Sequence, residues 1–344
     1  MSMRFSQCLR KFPMKKFKLS IDPGSSVPKY RQIVNQVTDA AGSGIVEAGF
    51  QLPSVNQLIH ELDLSRDTIF KAYEYLREIG VVDAIQGKGY FIHSSKIRIL
   101  LFLDKYSPFK EGLYNSMRQN LPENYSIDLY FHHYNLEVFE NVLKSGVGRY
   151  NFFVIMSFDD PGVAGVLKKM DKNKVLILDL QHQAPKVLPC ICQNFEEEFV
   201  RCLSEVRERI RDYEHFHFIL RPESHHPQES ARAFSKFCKH NGMRGDVSGD
   251  LDENQIRKNH VYLLVTDDDL VKVVEKSREL NYQPGKDIGI ISYNDTPVKK
   301  VIADGITVIS TDFEEMGRCA SDFLLNRKFV RKVIPTRLIL RNSL

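Results

Sequence analysis

No stretch of this 344-residue chain approaches the roughly 18 to 20 uncharged apolar residues that a membrane-spanning helix requires. Its longest apolar-rich runs, Ile97 to Leu103 and Tyr262 to Val265, have strand lengths. Basic residues near the N-terminus are followed by no long apolar segment, so we expect no export signal, no membrane partner and a cytoplasmic location. The six cysteines (Cys8, Cys190, Cys192, Cys202, Cys238 and Cys319) match no zinc framework. Cys190 and Cys192, one residue apart on a strand, point to one face and not at each other, and free thiols in a reducing compartment are expected. The doublets His132-His133 and His225-His226 lack a third ligand at helical or turn spacing, so no metal site is expected. There is no Gly-x-Ser-x-Gly elbow, no Gly-rich loop shaped for phosphate and no His-Glu-x-x-His, and we therefore expect neither an enzyme nor a cofactor. Acidic residues are missing from positions 1 to 20, which hold Arg4, Arg10, Lys11, Lys15, Lys16 and Lys18; the excess cations behind the net charge of +4 sit in this arm. Such an arm suits a polyanion, and equally a solvated leader.

What is present is ordinary for a soluble globular protein, 42% hydrophobic and 27% charged residues, with length for two or three domains. From Pro28 to about Ile92 the signals are short and helical; from Ile97 onward strand-like and helical runs alternate, with the polar stretch from His93 to Lys96 between. In "PKYRQIVNQVTDAAGSG" Pro28 opens a helix that buries Tyr30, Ile33, Val34 and Val37 and stops at Gly42. Ser54 starts a second helix, with Gln57 completing a capping box and Leu58 and Leu62 facing inward. Ser65 starts a third, which buries Ile69, Ala72, Tyr73 and Leu76 before Gly80. "VVDAIQGKGYFI" reads as two strands joined by Gln86-Gly87-Lys88-Gly89. Three helices and a hairpin make a winged helix-turn-helix, a small α+β domain. Downstream, strands are expected near Ile127 to His132, Phe152 to Met156, Val175 to Asp179, His215 to Leu220, Val261 to Val265, Ile288 to Ser292 and Ile306 to Ser310. A helix is expected from about Pro108 to Asn120. That alternation implies an α/β domain of mainly parallel sheets in two similar lobes.

A tight helix pair pushes its second helix outward, where its first turn can reach base edges in the major groove. Here that turn is Ser65-Arg66-Asp67-Thr68, with Lys71 one turn on. Arg66 can fork onto a guanine or a phosphate, and Ser65, Thr68 and Lys71 can hold phosphates. Gln86, Gly87 and Lys88 offer a flexible backbone and a cation at the hairpin tip, a shape for the minor groove or the phosphate backbone.

Residues 28 to 92 resemble the GntR family of bacterial winged-helix repressors through Pro28, Tyr30, Gln32 and Ile33, then Leu52-Pro53-Ser54, then Ser65-Arg66 with Thr68, then Ala72-Tyr73 with Leu76, then Gly87 and Gly89. The resemblance adds Ser54 and Asn56 to the DNA-facing set. The family commonly has an arginine where this chain has Asn56, which implies a changed operator preference. Residues 97 to 344 resemble the effector domain of LacI-type repressors, shared with periplasmic sugar-binding proteins. The firmest part is "YLLVTDDDLVKVVEKSRELNYQPGKDIGIISYNDTP" and the closing "IPTRLILRNSL". This likeness implies ligand contacts by Asp267 and Asn294, and it sets Ser230 where the family has a ligand arginine. Asp104, Tyr106, Phe109 and Lys110 after the first strand, and Ser157, Phe158 and Asp159 after the third, lie at carboxyl ends of strands, where open α/β sheets bind ligands. Carboxylates, amides and aromatic rings together, Tyr293 included, suit a sugar.

The expected organisation is a basic arm over 1–24, a DNA-binding winged helix over 25–93, a linker over 94–97 and a two-lobed effector-binding domain over 98–344. The expected function is regulation of a carbohydrate-use operon by a homodimer on a palindromic double-stranded operator, under control of a monosaccharide. The domain pairing is similar to regulators of sugar-use operons in Bacteroides-like bacteria, which implies a fucose-like deoxyhexose. A sugar receptor without DNA function, and a regulator that answers a sugar phosphate, remain as alternatives.

Overall fold

The computed structural model describes residues 17–25, 27–93, 96–180 and 185–344. The cationic stretch 1–16, with Cys8, and the linker serines Ser94 and Ser95 lie outside the described residues. The N-terminal elements are α1 (Lys29–Gly42), α2 (Val55–Leu62), α3 (Arg66–Glu78), β1 (Val82–Ile85) and β2 (Gly89–Ile92), the expected winged helix-turn-helix. Ile33, Val34, Val37, Leu58, Ile69, Ala72, Tyr73 and Leu76 are all fully buried, so the 3.6-residue periodicity finds its core. Leu19 is buried in the same core with Phe17 and Ile21 packed against it, so packed structure begins inside the stretch assigned by charge to the arm.

Both expected serine caps form. Ser54 accepts from the Gln57 amide at 3.1 Å, and Ser65 accepts from the Thr68 amide at 3.3 Å. The capping box at Ser54 is only half made, because the Gln57 side chain donates along its own helix to Glu61 at 2.8 Å. Asp63 takes the left-handed conformation (φ 50°) that ends α2, and Leu64 is buried beside it, so three residues suffice to reverse into α3. In the wing Ile85 pairs with Gly89, so Gly89 opens β2 and the turn is Gln86-Gly87-Lys88. Gly87 (φ 74°) and Gly89 (φ 109°) occupy backbone regions closed to most side chains.

The larger part contains β3 (Ile97–Leu103), α4 (Pro108–Asn120), β4 (Tyr125–Phe131), α5 (Leu136–Gly146), β5 (Phe152–Met156), α6 (Val163–Leu167), β6 (Val175–Asp179) and β7 (Cys190–Cys192). It continues with α7 (Glu197–Glu205), α8 (Arg207–Arg211), β8 (His215–Ile219), α9 (Gln228–His240), β9 (Gly245–Ser248), β10 (His260–Leu264) and α10 (Asp267–Glu279). It closes with β11 (Gly289–Tyr293), β12 (Thr307–Thr311), α11 (Phe313–Asn326), β13 (Arg331–Val333) and β14 (Thr336–Ile339). One six-stranded sheet has the order β13-β7-β6-β5-β3-β4 and the other β14-β12-β11-β10-β8-β9. In the second sheet every pairing is parallel except that of β12 with the closing strand β14. Its two faces carry separate apolar clusters, one around Phe216, Phe218 and Phe234, the other around Tyr262, Leu264 and Leu270. Burial on both sides is why these strands read as apolar runs with little alternation.

By contact density the chain divides into two compact units, one ending at Phe102 with Pro122–Val154 added, the other Leu103–Leu121 with Ile155–Leu344. Within the first, α1 is docked on the turn after α5. Arg31 donates to the Val147 carbonyl, and Asn151 donates to the Thr38 carbonyl at 3.1 Å. The Asn151 carbonyl oxygen accepts from the Arg98 amide at 2.8 Å, and Arg98 in turn pairs with Asp128 at 2.8 Å. A side chain at Gly148 (φ 85°) would press on Val34 and Asn35, and one at Gly42 would strike Asn151. Among the described residues no helix is long and apolar enough to cross a membrane.

Candidate DNA interface and effector cleft

The second helix of the pair presents its first turn outward. Ser65, Arg66 and Lys71 are exposed and Thr68 is half-buried, with its hydroxyl 2.8 Å from that of Ser65. Ser54 and Asn56 at the start of α2, and Gln86, Gly87 and Lys88 at the wing tip, are exposed as well. Tyr73 locks the pair from inside by donating its hydroxyl to the Pro53 carbonyl at 2.7 Å. Lys71 is less available than its sequence position implies, since its ammonium lies 4.5 Å over the Tyr30 ring. Phe70, absent from the residues expected at the interface, is 49% exposed on α3 one turn after Arg66. An exposed phenylalanine in a helix whose other apolar residues are inside is the signal that was there to find; a thymine methyl is one natural contact for it.

The residues expected to contact an effector lie mostly at the carboxyl ends of strands. Asp104 follows β3 and is buried with Lys110 of α4, to which it is ion-paired. Ser157 and Phe158 follow β5, both buried, and Asp159 beyond them is exposed. Tyr106 is exposed, while Phe109 stacks on Phe313 with ring centroids 4.8 Å apart. Asn294, after β11, stands in the left-handed region (φ 61°), and its side-chain oxygen is buried.

One expectation is corrected. Ser230 is fully buried and donates its hydroxyl to the Pro227 carbonyl at 2.7 Å, so its side chain is spent on the entry to α9. Asp267, expected to contact a ligand, is exposed in the first turn of α10 and faces Lys299, a buried side chain, at 2.9 Å. The cap of that helix is Thr266, which accepts from the Asp269 amide at 3.2 Å.

The structure adds three residues, Asp179, His225 and His226, to the expected Tyr293. Asp179 ends β6 with φ 77°, and Gln193 donates to its carboxylate. Burial first, and the nearby charge of Asp104 second, push the Asp179 carboxyl up to about 6, against a smaller pull from Lys110. Tyr293, at the end of β11, is buried and its hydroxyl is pushed well above the usual phenolic range by burial. His226 meets the Tyr293 ring at 4.5 Å and the Phe195 ring at 5.4 Å, and burial pushes its imidazole down to about 3. Beside it His225 is also lowered, by burial and by the charge of Lys105, with Asp104 opposing. Asp104 is thus paired with Lys110 and its charge is felt by Asp179 and His225, while His226 packs on Tyr293. Three buried polar atoms at these strand ends and loops, Ser157 Oγ, His226 Nε2 and Asn294 Oδ1, have no hydrogen-bond partner among the described residues. Arg221, the arginine nearest these loops in sequence, is committed to a forked pair with Asp269 at 2.8 to 3.0 Å.

A winged helix with an exposed recognition helix, followed by a two-lobed parallel α/β domain with polar groups at its strand ends, defines a ligand-responsive DNA-binding regulator. The profile described as "Bacterial regulatory proteins, gntR family" matches residues 29–92, and that of a "Periplasmic binding protein-like domain" matches residues 210–344. The HTH-type transcriptional repressor YtrA of Bacillus subtilis (strain 168) is 35% identical over 95 residues, 28% of this chain and 72% of that relative. The chain belongs to the GntR family of bacterial regulatory proteins. A probable fructoselysine utilization operon transcriptional repressor of Shigella flexneri is 32% identical over 95 residues, 27% of this chain and 39% of the relative. A structure of the lac repressor dimer bound to operator and an anti-inducer superposes with TM-score 0.59 at 16% identity, covering 72% of this chain and 94% of that one. That likeness gives the fold of the large domain.

Proposed function

We propose that this protein is a sequence-specific regulator of a carbohydrate-use operon, a homodimer on a palindromic operator controlled by a neutral monosaccharide. The observation that carries the effector half is a set of buried atoms at strand ends and loops, Ser157 Oγ, His226 Nε2 and Asn294 Oδ1, that have no partner among the described residues, with the buried carboxylates Asp104 and Asp179 at the ends of neighbouring strands. A buried polar atom without a partner costs about 1 to 3 kcal/mol, and sugar hydroxyls can donate and accept at such atoms at once. A phosphate fits poorly, because it would meet two carboxylates where Lys110 and Arg221 already serve Asp104 and Asp269. A fucose-like deoxyhexose is the first candidate, with its methyl group against Tyr106 or Phe109.

For DNA, Arg66 and Phe70 of α3 would read bases, Ser54, Asn56, Ser65, Thr68 and Lys71 would hold the backbone, and Gln86, Gly87 and Lys88 of the wing would reach the adjacent groove or phosphates. The named activity of the fructoselysine repressor and the operator-bound dimer of the lac repressor both support this reading. The test is a thermal-shift screen over monosaccharides and their phosphates, followed by mobility shift on genomic fragments with and without the compound that stabilises. A neutral sugar should raise Tm, remain chemically unchanged on incubation and alter operator affinity. Absence of a sequence-specific shift at moderate salt, consumption of the sugar, or a response to phosphates alone would overturn the proposal.

A further inference from the structure

At the amino ends of the second sheet, away from the effector loops, three strands bring imidazoles and a carboxylate onto one face. His215 and His217 alternate along β8 and so share a face, with ring centroids 4.3 Å apart. Asp246 of the edge strand β9 is the registered partner of His217, and His260 of β10 is the registered partner of His215. One oxygen, Asp246 Oδ1, lies 2.6 Å from His215 Nε2 and 2.8 Å from His217 Nδ1. The other nitrogen of His217, Nε2, lies 2.9 Å from His260 Nδ1.

We infer that His215, His217 and Asp246 form a binding site for a divalent transition-metal cation such as Zn²⁺, with His260 orienting His217. The three ligand atoms all lie within 4.8 Å of one another. Around a tetrahedral Zn²⁺ with bonds of ~2.0–2.1 Å, ligand atoms stand about 3.3 Å apart. The pairs at 2.6 and 2.8 Å need therefore open by less than about 1 Å, within reach of side-chain rotation for groups that are partly exposed. Two imidazoles and a carboxylate suit a borderline cation better than Ca²⁺ or Mg²⁺, which take oxygen ligands. The contact between His217 and His260 is the outer-shell hydrogen bond that fixes which nitrogen of a ligating histidine faces the metal. Three protein ligands leave a fourth position to water. The ion would clip the edge strand β9 to the interior of its sheet.

The adjacent doublets His132-His133 and His225-His226 lie outside the strands, whereas the His-x-His spacing at 215 and 217 on β8 puts both imidazoles on one face, with the third ligand from a strand some thirty residues on.

The test uses the tag-free, metal-depleted full chain titrated with Zn²⁺ by calorimetry and with Co²⁺ by visible absorption. One equivalent should bind per chain, Co²⁺ should give the intense bands of tetrahedral coordination, and Zn²⁺ should raise Tm. H215Q, H217Q and D246N should each weaken binding at least tenfold and abolish the Co²⁺ bands, and H260Q should weaken it by roughly 10- to 100-fold. H133Q and C319S should bind as the wild type does. His215 and Asp246 are partly exposed, so their variants should unfold without metal as the wild type does, which separates lost ligation from lost folding. No binding at all, retention of binding in H215Q and D246N, or an equal loss in C319S would overturn the inference. None of these outcomes depends on the operator or on the sugar.

Discussion

Asp179→Asn should make the protein more stable and less able to bind its effector. The Asp179 carboxyl rises from 3.8 to about 6 chiefly through burial, so keeping it ionised at neutral pH works against folding. A difference of about 2 units at 1.36 kcal/mol each sets a ceiling of about 3 kcal/mol. Asp179 keeps part of its surface in the cleft, and the realised gain should be about 1 to 3 kcal/mol. An acid whose folded value lies above its unfolded one holds its proton more tightly when folded, so its contribution to stability declines as pH rises from about 4 to about 6. The asparagine does not titrate and can still accept from Gln193. The stability gap between variant and wild type should therefore be small near pH 4, open through about pH 5 and stand at its full value by about pH 7.5. His226, whose imidazole is pushed down to about 3, has the opposite slope, with stability lost as pH falls below about 6.5. It is common to both proteins and cancels in the difference. Urea melts across that range measure the gap, and calorimetry with the effector should show at least tenfold weaker binding. Equal stability at pH 7.5, or a gain that persists unchanged at pH 4, would refute the reasoning about the carboxylate.

Arg66→Ala should weaken operator binding by about 1 to 3 kcal/mol in mobility shift at fixed salt while leaving effector calorimetry unchanged. Lys88→Ala should weaken binding to all sequences alike and reduce the salt slope of log K by about 1, measured by fluorescence anisotropy over a salt series. Asn151→Ala leaves the Thr38 carbonyl and the Arg98 amide without their partner and should cost about 1 to 3 kcal/mol in urea melts. The same variant should bind DNA and sugar separately yet lose most of the sugar's effect on operator affinity.

The winged helix was legible almost residue by residue because its information is local. Caps, apolar periodicity and a glycine turn lie within a few residues of what they control, and Ser54, Ser65 and Gly80 act where they were read. The central strands of the large domain were equally plain, and Phe152–Met156 and Val175–Asp179 coincide with their apolar runs. The short edge strands β9 and β13 were missed, since exposed strands of three or four residues leave no apolar run, whereas β14 falls within the closing stretch "IPTRLILRNSL" that the family resemblance marked. The cleft was only half legible. Asp104, Ser157 and Asn294 follow apolar strands and could be found by position, whereas Asp179 was read as the end of a strand and His226 as half of a doublet. What distinguishes those two is desolvation by residues distant in the chain, which no local pattern encodes. Ser230 failed for the converse reason, because alignment with a family position says nothing about whether a shorter side chain still reaches the ligand.

The same strands that carry the cleft also carry the docking of the winged helix, and this bears on how one site could inform the other. Arg98 lies near the start of β3 and Asp104 directly follows its end; Asn151 directly precedes β5 and Ser157 directly follows it. At their starts both strands are tied to the DNA-binding domain, through Asn151 to Thr38 and through Arg98 to the Ile79 carbonyl at 3.5 Å. Parallel strands buried on both faces are stiff, and a packed core shifts between discrete arrangements more readily than it deforms. If, as proposed, Asp104 and Ser157 hold the effector, the ligand would touch the ends of two strands whose starts are bonded to residues of the winged helix, where α1 packs against α3. A sugar can bias that arrangement only by its difference in affinity for two states, and the unpaired atoms of Ser157, His226 and Asn294 are where such a difference would arise. A coupling carried this way should vanish in Asn151→Ala with both binding sites intact, whereas coupling through a dimer surface alone should survive it.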